Sequence, residues 1–140
     1  MSREFEILLF EDNETDVFLV RLGLESAGVR FHLEVCSDGN EGLSRIRDCV
    51  EGRASCPDLL LLDLNLPKVP GEKLLEQLRK SEDGRKVLVL TSSDSPKDRE
   101  RAVSFGIEHF FRKPPDLDEF LQLGQIVKSL LLKSSKSDPD

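Results

Sequence analysis

The fold of this chain is decided by residues 59–67, which read LLLLDLNLP. The stretch begins with four consecutive leucines that have no polar residue between them. A strand with one face in water alternates between apolar and polar residues, whereas a strand covered on both faces does not have to. The run follows Pro57 and is too short for an ordinary helix. We therefore predict a central strand of a parallel sheet over residues 59–62, which ends on Asp63.

Composition narrows the class of protein. A length of 140 residues suggests one domain, and 38% apolar residues suffice for one core. The net charge of −7 argues against nucleic-acid or anionic-membrane partners, because both need a basic face. No stretch approaches the ~18 apolar residues of a membrane helix, and the N-terminus lacks the apolar region of a signal peptide. We predict a cytoplasmic protein with one domain at residues 1–133 and a disordered polar tail at 134–140.

The three cysteines, Cys36, Cys49 and Cys56, lack the spacing of a metal site or a CxxC motif. Cys36 closes an apolar strand pattern, and Cys49 stands at an apolar helical position. We therefore predict reduced thiols in a cytosolic protein. His32 and His109 stand alone, so we assign neither of them a catalytic role.

Strand-like and helix-like patterns alternate five times along the chain. The predicted strands are residues 5–10, 31–36, 59–62, 86–90 and 109–111. The predicted helices are residues 15–27, 40–50, 72–79, 96–105 and 117–132, and Ser95 and Asp116 are the N-caps of the last two. This alternation predicts an α/β fold: a flavodoxin-like, doubly wound parallel sheet with strand order 2-1-3-4-5 and helices on both faces.

Polar residues stand at the ends of four predicted strands, namely Glu11 and Asp12, Asp63, Thr91 and Lys113. The carboxyl ends of parallel strands share one edge of a sheet, so these side chains can converge. Crowded carboxylates repel one another unless a cation lies among them, and a hard divalent cation such as Mg²⁺ prefers oxygen ligands. Carboxylate, metal, hydroxyl and ammonium together suit a phosphoryl group that is accepted by an aspartate.

Four motifs carry a family resemblance: FEDN at 10–13, LLDLNLP at 61–67, VLTSS at 89–93 and FRKP at 111–114. Over about residues 6–132, the chain resembles the receiver domain of two-component response regulators. The segments EDNETD and LDLNLP are most similar to those of stand-alone receivers that partner bacterial phytochrome-type histidine kinases.

The resemblance implies a role for each acidic site residue. Asp63 would be the phosphoacceptor. Asp12, Asp63 and the backbone carbonyl of Asn65 would bind Mg²⁺, and Glu11 would hold a metal-bound water. One departure is at residues 69–70, where Val-Pro replaces the common methionine and aspartate and would stiffen the loop.

The resemblance also implies how a phosphoryl group would be held and sensed. Thr91 and Lys113 would contact the phosphoryl oxygens, and the peptide bond between Lys113 and Pro114 would be cis. Phe110 stands at the position of a switch aromatic, where tyrosine is frequent. A phenylalanine there cannot make the hydrogen bond of a tyrosine hydroxyl.

The implied function is that of a single-domain response regulator, which is not an enzyme. It would take a phosphoryl group from a histidine kinase and signal through protein contacts. A dehalogenase-type phosphatase would need an acid/base aspartate two residues after the acceptor, where this chain has Asn65. An acidic FEDNETD segment would repel a flavin phosphate, and the nucleotide-binding motif GxxxxGK[ST] is absent. A constitutive adaptor, or a phosphate sink in a phosphorelay, stays open.

The last predicted helix carries a wide apolar stripe, formed by Phe120, Leu121, Leu123, Ile126, Val127, Leu130, Leu131 and Leu132. We predict a homodimer or partner surface that involves this helix and the fifth strand. The alternative is that most of the stripe belongs to the core.

Overall fold

The computed structural model describes residues 3–80, 86–91 and 96–136. Its strands are β1 (Phe5–Phe10), β2 (Phe31–Cys36), β3 (Leu59–Asp63), β4 (Lys86–Thr91) and β5 (His109–Arg112). They form one sheet in the order β2-β1-β3-β4-β5, and every neighbouring pair is parallel. The predicted flavodoxin-like sheet and its strand order are confirmed.

Six helices are seen in the described ranges: α1 (Glu14–Ser26), α2 (Gly39–Val50), α3 (Gly71–Lys80), α4 (Pro96–Ser104), α5 (Leu117–Leu121) and α6 (Leu123–Lys136). Buried residues of α1, α5 and α6 join one apolar cluster, and those of α2, α3 and α4 join another. Helices therefore cover both faces of the sheet. Within the same ranges, no helix is long and apolar enough to cross a membrane.

The central strand β3 shows why its sequence does not alternate. All five of its residues are buried. Leu59 and Leu61 pack in the cluster with α1, α5 and α6, whereas Leu60 and Leu62 pack in the other cluster. Successive side chains of a strand point to opposite faces, so a strand between two helical layers needs apolar residues on both. Asp63 then ends β3 at the carboxyl edge of the sheet.

The last helix departs from the prediction of one element over residues 117–132. The chain makes a turn at Gln122, which separates α5 from α6. Just beyond this turn, Gly124 lies so close to α1 that a Cβ on it would be 1.9 Å from the carbonyl oxygen of Gly23. The apolar pattern of the sequence does not reveal this approach of two backbones.

The ends of these helices were predicted in part. Asp116 is the N-cap of α5, as predicted, and its carboxylate accepts a hydrogen bond from the Asp118 N–H at 2.8 Å. Residues 134–136 continue α6, where we predicted a disordered tail; lysine and serine are both compatible with a helical backbone. Residues 137–140 and the predicted N-cap Ser95 lie outside the described residues.

The predicted redox state is wrong for two of the three cysteines. Cys49 and Cys56 form a disulfide, whereas we predicted reduced thiols. The chain turns back after α2, so that the two Cα atoms are 5.0 Å apart, which is within the range of disulfides. A seven-residue separation does not indicate such a return of the loop. Cys36 is free and buried, as predicted.

Candidate functional site

Lys113 is the centre of the site. Its Nζ lies 2.5 Å from Glu11 Oε1, 2.9 Å from Asp16 Oδ2 and 3.2 Å from Asp63 Oδ2. Glu11 and Lys113 directly follow β1 and β5, and Asp63 ends β3, so the shared carboxyl edge of the sheet brings them together. The predicted convergence of these three residues is confirmed.

Three acids form a group that could hold a metal ion. One carboxylate oxygen from each of Glu11, Asp12 and Asp63 lies within 4.8 Å of the others. Glu11 and Asp63 are buried, whereas Asp12 is exposed. A donor set of carboxylate oxygens, open to solvent on one side, fits a hard cation such as Mg²⁺, which keeps several of its waters. The side chains that the sequence predicted as metal ligands are therefore close enough to share one ion.

Asn65 contacts the Asp63 carboxylate, but through its backbone N–H. This group donates a hydrogen bond to Asp63 Oδ1 at 2.9 Å, while Asp63 Oδ2 faces Lys113. Each oxygen of Asp63 therefore has a donor. The role of the Asn65 carbonyl as a metal ligand stays a prediction.

The turn from β1 into α1 holds the acidic residues in place. The Glu11 N–H donates to the Cys36 carbonyl at 3.0 Å, which extends the pairing of β1 with β2. Asn13 is the N-cap of α1, and its side chain accepts a hydrogen bond from the Asp16 N–H at 3.0 Å. This cap places Asp16 in the first turn of α1, facing Lys113. FEDN is thus a strand end followed by a helix cap.

The surroundings raise the pKa values of both Glu11 and Lys113. The rise favours the neutral form of Glu11 and the charged form of Lys113. Burial raises the pKa of Glu11 to about 7; the hydrogen bond from Lys113 opposes this rise, and Asp63 adds to it. Burial alone would lower the pKa of Lys113, but its hydrogen bonds to Glu11 and Asp16 outweigh burial and raise it. Lys113 therefore stays a cation beside a glutamate that is easily protonated.

The loop after β3 is anchored on the start of α2. The Gly39 N–H donates to the Pro67 carbonyl at 2.9 Å, and Lys68 Nζ lies 3.2 Å from Asp38 Oδ2. Val69 is buried, and a Cβ on Gly39 would be 2.3 Å from the Val69 Cβ. These contacts restrain the segment that follows Asp63, in keeping with the stiffer loop expected from residues 69–70.

Thr91 and Phe110 lie on the neighbouring strands β4 and β5. The Thr91 carbonyl accepts a hydrogen bond from the Lys113 N–H at 2.7 Å, so Thr91 stands beside the lysine. Phe110 is half-buried against the cluster of α2, α3 and α4, and the Arg99 guanidinium lies 4.8 Å from the centre of its ring. Phe110 is therefore already directed partly inward.

The peptide bond between Lys113 and Pro114 is trans, so the predicted cis bond is wrong. An X–Pro bond favours trans by about 0.5–1 kcal/mol unless its surroundings select cis.

Asp16 is a site residue that the strand-end pattern does not indicate. We expected site acids at strand ends, whereas Asp16 belongs to a helix. A signal was available, because Asp16 stands four residues after Asp12 and in the first turn after a predicted strand end.

The apolar stripe of the last helix is mostly core. Phe120, Leu123, Val127, Leu130 and Leu131 are buried, whereas Ile126 and Leu132 are exposed. The alternative of core packing thus accounts for most of the stripe. The homodimer or partner surface stays a prediction.

Comparisons with known proteins agree on one family. A family model described as the response regulator receiver domain matches residues 7–125. The "Probable methanogenesis regulatory protein FilR2" of Methanothrix harundinacea is 35% identical over 95% of this chain and 87% of its own length. The chain also matches transcriptional regulators of which it spans about half, 46% of one and 51% of another.

Two solved structures are also similar. The phosphorylated cyanobacterial phytochrome response regulator RcpA has a TM-score of 0.83 and 27% identity, with 94% of this chain and 96% of RcpA covered. The Mn²⁺-bound response regulator Rcp1 has a TM-score of 0.78 and 28% identity, with 89% of this chain and 92% of Rcp1 covered.

Proposed function

The chain belongs to the response regulator receiver domain family, and we propose that it accepts a phosphoryl group from a sensor histidine kinase on Asp63. The observation that supports this most strongly is the contact of Lys113 with Asp63, beside a group of acids that could hold a cation. A carboxylate with a neighbouring ammonium and a cation is suited to in-line attack on phosphorus.

The transfer would be a simple displacement. An oxygen of the Asp63 carboxylate would form a bond to phosphorus while the N–P bond of the kinase phosphohistidine breaks. The imidazole nitrogen would keep the electron pair of that bond. Lys113 would compensate negative charge on the phosphoryl oxygens, and the Thr91 hydroxyl would donate a hydrogen bond to one of them.

Asp12 and Asp63 would hold Mg²⁺ in this reaction, and Glu11 would hold one of its bound waters. The bound ion would compensate the negative charge of Asp63 and of the phosphoryl oxygens. The Mn²⁺-bound structure of the similar Rcp1 supports a divalent cation of this kind in the family.

The proposed output is a change in protein–protein contacts, without an enzymatic step on another substrate. Similarity to the phytochrome response regulator RcpA favours a phytochrome-type histidine kinase as the phosphoryl donor. The proposed location of the transfer is the cytoplasm. The other role to test is that of a constitutive adaptor or phosphate sink, for which partner binding would not depend on Asp63.

Phosphotransfer profiling tests the proposal. Purified histidine kinases of the source organism are loaded with labelled ATP and mixed with the wild-type chain or with Asp63→Asn. We expect rapid transfer from one kinase to the wild type and none to the variant. Absence of transfer from every kinase, or equal labelling of Asp63→Asn, would contradict the proposal. Unchanged binding of Asp63→Ala to a downstream partner would favour the adaptor.

A further inference from the structure

Asp16 is an additional carboxylate on the site lysine. An ammonium group has three N–H donors. In this structure three carboxylates lie within hydrogen-bonding distance of Lys113 Nζ, and Asp16 is the second nearest, at 2.9 Å. The Asp16 side chain is 22% exposed and that of Lys113 is 10% exposed, so the contact is largely shielded from water.

The other two carboxylates have a second task. Glu11 and Asp63 belong with Asp12 to the group whose oxygens lie within 4.8 Å of one another. Within the part of the chain that the structure describes, Asp16 is not a member of that group. If Glu11 and Asp63 serve a cation, and Asp63 also carries a phosphoryl group, Asp16 is the carboxylate that stays available to the ammonium.

The backbone of Asp16 is held in place by the N-cap of α1. Its backbone N–H is bonded to the side chain of the N-cap Asn13, and the Asn13 N–H lies 3.3 Å from Glu11 Oε2. The carboxylate is thus attached to the first turn of α1 and not to a strand end. A change in the side-chain conformation of Asp63 alone would leave the Asp16 backbone in position.

We propose that Asp16 is a positioning residue that keeps the Lys113 ammonium beside Asp63, so that one of its N–H groups stays directed at the phosphoryl oxygens. This inference rests on the proposed phosphorylation of Asp63. Without Asp16, Lys113 would lose a charge-assisted hydrogen bond and would spend more time away from the reacting group.

If Asp16 acted only through its charge or only through folding, its substitution would change the kinetics in a different way from a loss of positioning. Removal of a negative charge near the site should help an anionic phosphate donor to bind, and partial unfolding should impair every kinetic parameter. Loss of positioning should instead lower the rate at saturating donor without raising the half-saturating concentration.

The test compares Asp16→Asn and Asp16→Glu with the wild type. Glu14→Gln is the matched control, because it removes one exposed acid from the same first helical turn. Phosphorylation by acetyl phosphate with saturating Mg²⁺ is followed over a range of donor concentrations. We expect Asp16→Asn to lower the limiting rate about threefold to tenfold without raising the half-saturating concentration. Asp16→Glu should recover most of the rate, and Glu14→Gln should match the wild type.

A second measurement needs neither metal nor phosphate. In EDTA, Asp16→Asn should change the melting temperature differently in the wild-type background and in the Lys113→Met background, whereas Glu14→Gln should have the same effect in both. Additive effects of Asp16→Asn and Lys113→Met would show that the two side chains do not interact and would overturn the inference.

The outcomes separate this inference from the proposed function. If the wild type is not phosphorylated, both fail. If the wild type is phosphorylated and Asp16→Asn has an equal or higher limiting rate, the proposed function stands and the positioning role is overturned.

Discussion

Glu11 and Lys113 are 102 residues apart in the chain, yet Lys113 Nζ lies 2.5 Å from Glu11 Oε1. Both side chains are largely buried, at 1% and 10% exposure. They follow β1 and β5, which are separated in the sheet by β3 and β4. The ion pair therefore connects the ends of β1 and β5 at the carboxyl edge of the sheet. Asp63 ends β3, which lies between these two strands.

The raised pKa of Glu11 predicts how the free energy of unfolding depends on pH. Burial raises the pKa of Glu11 from 4.5 to about 7 in the folded chain, so between these values the folded state binds a proton that the unfolded state has released. In EDTA, the free energy of unfolding should therefore fall as pH rises through this window, by about 3 kcal/mol from this group. Urea denaturation at several pH values measures the effect.

Glu11→Gln supplies the comparison for this pH dependence. The variant should lack the Glu11 contribution, so its free energy of unfolding should fall less over the same window. The exposed Glu14→Gln should keep the wild-type slope. Equal slopes for the wild type and Glu11→Gln would show that Glu11 ionises normally.

Mg²⁺ should raise the melting temperature, because the acid group exists only in the folded chain and a bound cation relieves its repulsion. For the same reason, Asp12→Asn should raise the melting temperature of the metal-free protein by about 2–5 °C and reduce the further rise with Mg²⁺. Differential scanning calorimetry with and without Mg²⁺ tests both effects. A metal-free Asp12→Asn protein that melts below the wild type would mean that these acids do not repel one another.

Thiol counting tests the Cys49–Cys56 disulfide. Of the three cysteines in the chain, Cys36 alone is free in the described structure, so the denatured, unreduced protein should react with one equivalent of a thiol reagent. Reduction should lower the free energy of unfolding of the wild type by about 2 kcal/mol, because a small loop is released in the unfolded state. Cys56→Ser should be insensitive to the reductant. Three reactive thiols before reduction would refute the disulfide.

Phe110 should respond to phosphorylation, while Phe111 should not. Phe110 is half-buried on one face of the sheet, and Phe111 packs edge-on against Phe120 on the other, with ring centres 6.0 Å apart. When the Thr91 hydroxyl moves towards a phosphoryl group, the Phe110 ring should move further inward to keep its contacts. Because it is already partly inward, the bias between the two states should be no more than a few kcal/mol.

NMR of the free and beryllofluoride-bound forms measures this change, with Phe111 as the internal control. We expect stronger contacts between the Phe110 ring and the Thr91 methyl group in the bound form. If Thr91 and Phe110 keep the same rotamers in both forms while partner affinity changes, another path must carry the signal.

The sheet and the core of the site could be predicted because both follow from local rules. A run such as residues 59–62 has few alternatives to a strand buried on both faces, and parallel strands bring Asp63 and Lys113 to one edge. Asp16 was missed because its approach to Lys113 depends on the path of a helix.

Other departures have similar physical causes. The disulfide depends on how the chain returns after α2, and the turn at Gln122 accompanies the contact between Gly23 and Gly124. Contacts of this kind join segments whose separation along the chain carries no signal of its own. Sequence patterns describe elements well and describe the packing of one element on another poorly.

Phosphorylation of Asp63 can be observed by intact-protein mass spectrometry after incubation with acetyl phosphate and Mg²⁺. We expect one base-labile phosphoryl adduct on the wild type, located at Asp63. We expect none on Asp63→Asn and none when EDTA is present. An adduct at wild-type level on Asp63→Asn, or full labelling in EDTA, would contradict the proposed function.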